Sequence, residues 1–238
     1  MPETPPGNFA ATRWTLVVQA RGADPAARAA LSELCGAYYE PVVTFLRSEG
    51  RDDDAARELT HGFFELVLSG GGLRGADRER GKFRSYLLGA VKHFLADARD
   101  KQMAAKRGSG VEAVSLQDTA SGFNAVSPGT PDSERAFDRQ WALTIIARGL
   151  AVVEGELRDA GKGAQFETLK PWITGESPGH SQAGAAAMLE MSEGALKVAI
   201  HRLRQRFRAA VKAEIEQTVP AEDDVDEELR HLIAVLAA

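Results

Sequence analysis

Basic side chains recur at helical spacing near the end of the chain. Lys197, His201, Arg204 and Arg208 follow one another at steps of four, three and four, which places them on one face of a helix. Lysine and arginine at such positions bind the phosphates of nucleic acids. A short helix, a tight turn and a longer basic helix together are typical of a helix-turn-helix, whose second helix enters the major groove. An ordinary surface helix with a solvated basic face is the alternative interpretation.

The element that must position these side chains spans residues 181–212. Its second helix carries an apolar stripe with the helical period, which predicts a buried face: Leu196, Ile200, Leu203, Phe207 and Val211. Ser192 is predicted to cap this helix, and Glu193 lies where the positive helix end favours a carboxylate. The turn is predicted at residues 190–192.

A second group of cations lies between residues 82 and 107. Arg84, Lys92 and Arg99 share one face of a predicted helix, with Tyr86 and His93 nearby. Cations interleaved with aromatic rings suit phosphate contact and base stacking. A structural interpretation, with the rings in the core and the cations serving solubility, is equally consistent with this pattern.

The chain offers no set of residues that predicts catalysis or metal binding. Its five histidines are dispersed, its single Cys35 excludes an intramolecular disulfide, and no zinc-protease, phosphate-loop or nucleophile-elbow motif occurs. The run Asp52, Asp53 and Asp54 lacks the spacing of a calcium loop and is interpreted as the start of a helix. We therefore expect a protein that is not an enzyme and needs no metal or cofactor.

The net charge of -5 conceals a segregation of charge along the chain. Residues 82–107 hold seven cations against two acids, residues 192–212 hold six against one, and residues 219–238 hold six acids against Arg230. Local patches set the field that a phosphate backbone meets, so the acidic average does not exclude nucleic-acid binding. Neither a membrane-spanning run nor a secretory signal is visible, and a cytoplasmic protein without membrane contact is expected.

Abundant alanine and scarce β-branched runs predict an all-α protein of two small helical domains. Helices are expected over residues 26–39, ending or kinking at Pro41, and then over 52–68, 81–107, 165–173 and 226–236, with another that starts near residue 133. The predicted organisation is an N-terminal extension (1–25), a first domain (26–107), a flexible linker (108–132), a helix-turn-helix domain (133–217) and an acidic tail (218–238).

Two basic helical units joined by a linker resemble the extracytoplasmic-function sigma factors, the small two-domain branch of the bacterial family that directs RNA polymerase to promoters. The similarity covers most of residues 9–217 and is most specific in RELTHGFFELVL (57–68), FRSYLLGAVKHFLADARDKQ (83–102) and MSEGALKVAIHRLRQRFR (191–208). It implies the fold, with domains like sigma regions 2 and 4, and it implies core RNA polymerase and promoter DNA as partners. An anti-sigma factor or other regulatory protein is a further partner that such a family admits.

The resemblance also implies site residues. Polymerase docking falls on Glu58, Leu59, His61, Phe63 and Phe64. Promoter melting and contact with the minus-ten element fall on Arg84, Tyr86, Lys92, His93 and Arg99, and a flipped base is expected at the loop 70–80. Contact with the minus-thirty-five element falls on Ser192, Glu193, Gly194, Lys197, His201, Arg202 and Arg204.

The chain departs from the family pattern at two positions. Arg57 stands where the docking helix commonly has an acid, and Glu190 stands where the turn commonly has glycine. A non-glycine residue in that turn must adopt a left-handed conformation, at a cost of roughly 1 kcal/mol. Two other functions stay open: a helix-turn-helix regulator that works without polymerase, and an interaction adaptor that has kept a sigma-like fold. The acidic tail is expected to contact the DNA-binding domain or a partner and so to restrain activity.

Overall fold

The protein is described by a computed structural model over residues 25–69, 82–106, 131–175, 179, 181–219 and 223–237. These ranges contain helices and no strand, which confirms the all-α prediction for them. The helices are α1 (Pro25–Ser48), α2 (Asp53–Leu68), α3 (Phe83–Lys106), α4 (Pro131–Asp159), α5 (Gly163–Leu169), α6 (Pro171–Thr174), α7 (Gln182–Met188), α8 (Glu193–Glu216) and α9 (Asp223–Ala237). Within the same ranges, no helix is both long and apolar enough to pass through a bilayer.

The helices group into two compact units whose borders differ from the predicted domain borders. One unit contains the described residues up to Ala142 together with those from Glu216 onward, and the other is Leu143–Ile215. The first twelve residues of α4 and the whole of α9 therefore belong with α1–α3. Residues 1–24 of the predicted extension (1–25) and residues 108–130 of the predicted linker (108–132) lie outside the described residues.

The first unit is built around aromatic side chains. Those that are almost fully buried include Tyr38, Phe45, Phe63, Phe83, Phe137 and Trp141. The rings of Tyr38 and Phe83 meet edge to face with their centroids 5.2 Å apart, which is a favoured arrangement of two aromatic rings. Large apolar surfaces from α1, α3 and α4 are thereby removed from water, which is the main source of stability for this unit.

Helix α1 corrects one prediction. It continues through Pro41 to Ser48, so Pro41 does not end it; the predicted alternative, a kink at Pro41, stays a prediction. Proline removes one backbone hydrogen bond, but Pro41 and its neighbours Val42 and Val43 are buried. The apolar burial of this stretch offsets the lost hydrogen bond, as tertiary packing commonly overrides helix propensity.

Caps and packing fix the other helices. The side chain of Asp52 accepts a hydrogen bond from the Ala55 amide at 2.8 Å, so α2 begins one residue after its cap, at Asp53. The predicted helix 165–173 is instead two short helices, α5 and α6, which meet at Lys170. Leu143 of α4 is 44% exposed, so this residue does not belong to the core.

The second unit packs α4, α5, α7 and α8 around one apolar cluster. Its buried members are Val153, Leu157, Phe166, Leu169, Ala185, Ala186, Leu196, Ile200 and Leu203. Helices α4 and α8 approach closely at Gly149, where an added Cβ atom would lie 2.8 Å from Cγ2 of Val211. The absence of a side chain at Gly149 therefore sets the distance between these two helices.

Candidate nucleic-acid interface

The α7–turn–α8 segment has the local geometry that its sequence predicts. The Ser192 hydroxyl accepts a hydrogen bond from the Ala195 amide at 3.2 Å, which caps α8. Ser181 caps α7 in the same way through the Gly184 amide. Between the helices, Glu190 adopts a φ of 52°, which confirms the left-handed turn expected there. The caps and the turn determine how the second helix is presented.

The α8 helix buries its predicted stripe and exposes its predicted contact residues. Leu196, Ile200, Leu203 and Val211 are buried, and Phe207 is half-buried. The residues that the sequence assigns to the upstream promoter element all lie on the surface: Ser192, Glu193, Gly194, Lys197, His201, Arg202 and Arg204. The stripe prediction is confirmed, whereas DNA contact by the exposed residues stays a prediction.

The exposed cations of α8 lie on two sides of the helix. Arg202 follows Lys197 by five residues, which turns it roughly 140° around the helix axis. Together with Lys162 and Arg206 it lines an open groove of about 400 Å³. On the opposite side, Arg204 donates hydrogen bonds to the Trp172 carbonyl through Nε at 3.2 Å and Nη2 at 3.0 Å. The Trp172 carbonyl thereby fixes the Arg204 guanidinium.

Val198 is a surface residue of α8 that the sequence analysis did not select. Its side chain is 49% exposed, and it lies between the Lys197 side and the Arg202 side of the helix. An apolar side chain at such a position suits contact with a thymine methyl group in the major groove. Its spacing in the sequence could have identified this residue, because Val198 is the one valine of α8 that lies outside the buried stripe.

The predicted promoter-melting residues lie mainly against other parts of the first unit. Arg84 donates from Nε to Glu228 at 2.8 Å and from Nη1 to Asp138 at 2.5 Å, and its guanidinium carbon is 5.1 Å from the centre of the Trp141 ring. Lys92 pairs with Glu134 at 2.5 Å. The structure therefore brings these two cations to internal carboxylates, which the sequence analysis did not foresee.

Burial and charge act in opposite directions on the Arg84–Glu228 pair. Burial lowers the pKa of Arg84, but the hydrogen bond and charge of Glu228 outweigh it and leave the pKa raised. Burial likewise raises the pKa of Glu228, but Arg84 and Lys82 together hold it below its usual value. Both groups are therefore charged at neutral pH, as expected of a buried pair whose partners satisfy each other.

The other three predicted melting residues are arranged differently. Tyr86 is half-buried, and burial raises its pKa to about 12. His93 is half-buried on the same helix. Arg99 is exposed and pairs with Glu49 at 3.0 Å. The predicted minus-ten loop, residues 70–80, lies outside the described residues.

The predicted polymerase-docking residues divide between core and surface. Phe63 and Phe64 are buried within the first unit, whereas Glu58 and His61 are exposed and Leu59 is half-buried. His61 Nε2 and the Tyr39 hydroxyl lie 2.8 Å apart, within hydrogen-bond distance. Both side chains line an open groove of about 940 Å³ together with Phe64 and Leu68, the latter 45% exposed. A partner could reach this groove but not the buried ring of Phe63.

Arg57, the departure in the docking helix, is held by acids of its own unit. Its guanidinium contacts Asp53 at 3.1 Å and Glu40 at 3.3 Å, and the Asp53 hydrogen bond is the main reason that its pKa is raised. Such an exposed pairing contributes little to stability. The two carboxylates do neutralise the positive charge of Arg57, which lies next to Glu58.

Over the described ranges, the structure contains no group of three or more His, Cys, Asp or Glu side chains placed to hold a metal ion. Comparison of the chain with models of protein families, with curated proteins and with solved structures gave no match.

Proposed function

We propose that this chain is a sigma factor: a subunit that binds core RNA polymerase, recognises the minus-ten and minus-thirty-five elements and starts transcription of a specialised gene set. The observation that carries the proposal is the α7–turn–α8 segment. Its capped second helix buries an apolar stripe and exposes cations around a half-exposed apolar residue. The sequence resemblance supplies the link to RNA polymerase.

The arrangement of cations on α8 suits a helix that lies in the major groove. Lys197 and His201 flank Val198 on one side, and Arg202 and Arg206 flank it on the other. Cations on both sides can reach the phosphates of both groove walls, while the residues between them face the bases. Phosphate contacts would supply most of the affinity, and the first turns of α8 would supply specificity.

The proposal assigns polymerase docking to the surface of α2. Glu58, Leu59 and His61 are the predicted docking residues that a partner can reach. Phe63 would serve this surface indirectly, because its buried ring fixes α2 against the rest of the unit, whereas Phe64 lines the groove beside His61.

Run-off transcription tests the proposal directly. Core RNA polymerase is incubated with a library of genomic fragments, with and without the full-length protein. New transcripts that share upstream sequences are expected only with the protein. If the protein neither binds core polymerase nor starts any transcript, the proposal is wrong.

Substitutions in α8 then test the DNA-contacting surface. Lys197→Ala and Arg202→Ala should each lower transcription from the promoters found and reduce the salt dependence of duplex binding by about 0.9 in log–log slope. Arg139→Ala, which removes an exposed arginine of α4, is the matched control and should change neither. Equal effects of all three substitutions would show that only general charge matters.

A helix-turn-helix regulator that works without polymerase is the second candidate. The internal pairing of Arg84 and Lys92 favours it, because α8 then offers a more accessible basic surface than α3. This candidate predicts specific duplex binding by the isolated protein and no effect of Glu58→Ala or His61→Ala on that activity. An adaptor predicts instead a stable protein complex without stimulated transcription.

A further inference from the structure

We propose that the start of α3 is a phosphate-binding surface that the acidic helix α9 covers, so that α9 competes with a nucleic-acid strand for it. The inference rests on the proposed function, because it assumes that α3 meets single-stranded DNA. It adds Lys82 and the first amide of α3 as ligands for the strand. It also identifies α9 as the segment that must leave.

Carboxylates of α9 occupy the positions that phosphate oxygens would take. Lys82 Nζ lies 2.8 Å from Glu227 Oε1 and 3.0 Å from Glu228 Oε2. The same Glu228 carboxylate accepts from Arg84 Nε at 2.8 Å. Lysine and arginine bind carboxylates and phosphates through the same charge-assisted hydrogen bonds. The two cations thus form an anion site that α9 fills.

The backbone at the start of α3 is covered as well. The Phe83 amide donates to the Thr218 carbonyl at 3.0 Å, and Thr218 belongs to the segment that leads into α9. The first amides of a helix point outward and attract anions when nothing else accepts from them. Displacement of 218–237 would therefore expose a helix N-terminal amide beside Lys82.

Helix α9 is attached through ionic as well as apolar contacts, and the ionic part can be exchanged for contacts with another anion. Val225 and Leu232 are its buried apolar side chains among the described residues, whereas Ile233 is 58% exposed. The ionic part of its attachment runs through Glu227 and Glu228, which pair with Lys82 and Arg84. Ionic attachment weakens in salt and can be exchanged for contacts with another polyanion.

Release of α9 should affect Arg84 and Lys82 differently. Arg84 keeps Asp138 and the Trp141 ring as partners when α9 leaves. Among the described residues, Lys82 pairs with Glu227 and Glu228, both on α9, so release of α9 would make its ammonium group available. Lys82 is thus the cation that the position of α9 controls most strongly.

Binding of a mixed-sequence single-stranded DNA oligonucleotide to the full-length protein tests the proposal. The double variant Glu227→Gln/Glu228→Gln removes two charges from α9 and keeps the shape of both side chains. The control Glu156→Gln/Asp159→Asn removes two exposed charges from α4. Only the α9 variant should bind the strand more tightly, and its log–log salt dependence should steepen by about 0.7 for each added phosphate contact. Equal changes in both variants would overturn the proposal.

Hydrogen exchange of the unaltered protein gives a second readout that needs no variant. Amides of 223–237 should exchange faster when the oligonucleotide is bound, because the strand displaces α9. Unchanged or slower exchange there would also overturn the proposal. Should the double variant fail to fold, Glu227→Lys replaces it, because Glu227 is exposed and Lys82 would repel the new cation.

The two proposals can fail separately. If Lys197→Ala and Arg202→Ala leave duplex binding unchanged, the proposed role of α8 is wrong, whatever α9 does. If duplex binding depends on these residues while α9 stays protected in the presence of single strands, only the inference about α9 is wrong.

Discussion

The close approach of α4 and α8 predicts opposite effects for two glycine-to-alanine substitutions in the same helix. At Gly149 a new Cβ atom would lie 2.8 Å from Val211 Cγ2 and 3.3 Å from the Val211 amide nitrogen. At Gly155 nothing lies within 4 Å of the corresponding position. Alanine in a helix interior is more favourable than glycine by about 0.5–1 kcal/mol. Helix propensity alone would therefore raise the free energy of unfolding by this amount in both variants.

Overpacking decides the difference between the two sites. Extra methyl groups in a packed interior cost about 1–3 kcal/mol. Gly155→Ala should therefore raise the free energy of unfolding by about 0.5–1 kcal/mol, whereas Gly149→Ala should lower it by up to about 2.5 kcal/mol. Urea unfolding followed by far-UV circular dichroism measures both changes, and an unaltered dependence on urea shows that they report stability.

A second substitution tests the cause. Val211→Ala removes the methyl group that the new Cβ atom would meet, although the backbone of Val211 stays close. The penalties of Gly149→Ala and Val211→Ala should therefore be less than additive, by about 1 kcal/mol. If Gly149→Ala stabilises the protein as Gly155→Ala does, α4 and α8 do not approach as described and the reasoning is refuted.

Three further predictions concern single residues. Glu190→Gly should raise the free energy of unfolding by about 0.5–1 kcal/mol because it relieves a left-handed backbone, whereas Glu190→Gln should leave it unchanged; urea unfolding separates them. Because the pKa of Glu228 is lowered in the folded state, its contribution is present above the unfolded value of about 4.3 and is lost as the pH falls through the lower folded value. Glu228→Gln should thus lower the free energy of unfolding at neutral pH by about 1–3 kcal/mol, and in acid the stability of the variant should change less with pH than that of the unaltered protein. The same pH dependence of unfolding in both proteins would contradict this. Burial raises the pKa of the Cys35 thiol to about 12, so an alkylating reagent near neutral pH should label it only after denaturation, as mass spectrometry can show.

Local features were largely predictable from the sequence. The caps at Asp52 and Ser192 follow from side chains that can accept an amide hydrogen bond within one turn. The stripe of α8 follows from its period, and the left-handed conformation of Glu190 was expected because resembling proteins commonly have glycine at that turn. Each of these depends on residues only a few positions apart. Periodicity and turn chemistry report such short-range relations.

Long-range relations were not predictable in the same way. The sequence shows that residues 219–238 are acidic and that Lys82 and Arg84 are basic, but many pairings satisfy that pattern. Glu228 meets Arg84 across 144 positions of the chain, and helical periodicity carries no information at that separation. For the same reason the sequence placed the tail in a separate segment, whereas its contacts assign it to the first unit.

Pro41 and Arg204 show two other limits of prediction from the sequence. Propensity disfavours proline within a helix, yet burial around Pro41 outweighs that local preference. Arg204 was assigned to DNA by its position on the helix, but a backbone carbonyl 32 residues earlier accepts from its guanidinium. Carbonyl acceptors exist at nearly every residue, so the sequence does not mark the one that binds.

Completion of the first unit by Glu216–Ala238 has a consequence for synthesis on the ribosome. Most of that unit is translated first, but Thr218, Val225 and Glu228, which pack against it, are translated only after the whole second unit, Leu143–Ile215. Until then Arg84 lacks its Glu228 partner and the Phe83 amide lacks the Thr218 carbonyl. The unit translated first is therefore completed only after the second unit has been synthesised, and its final folding step should follow synthesis of residues 216–237.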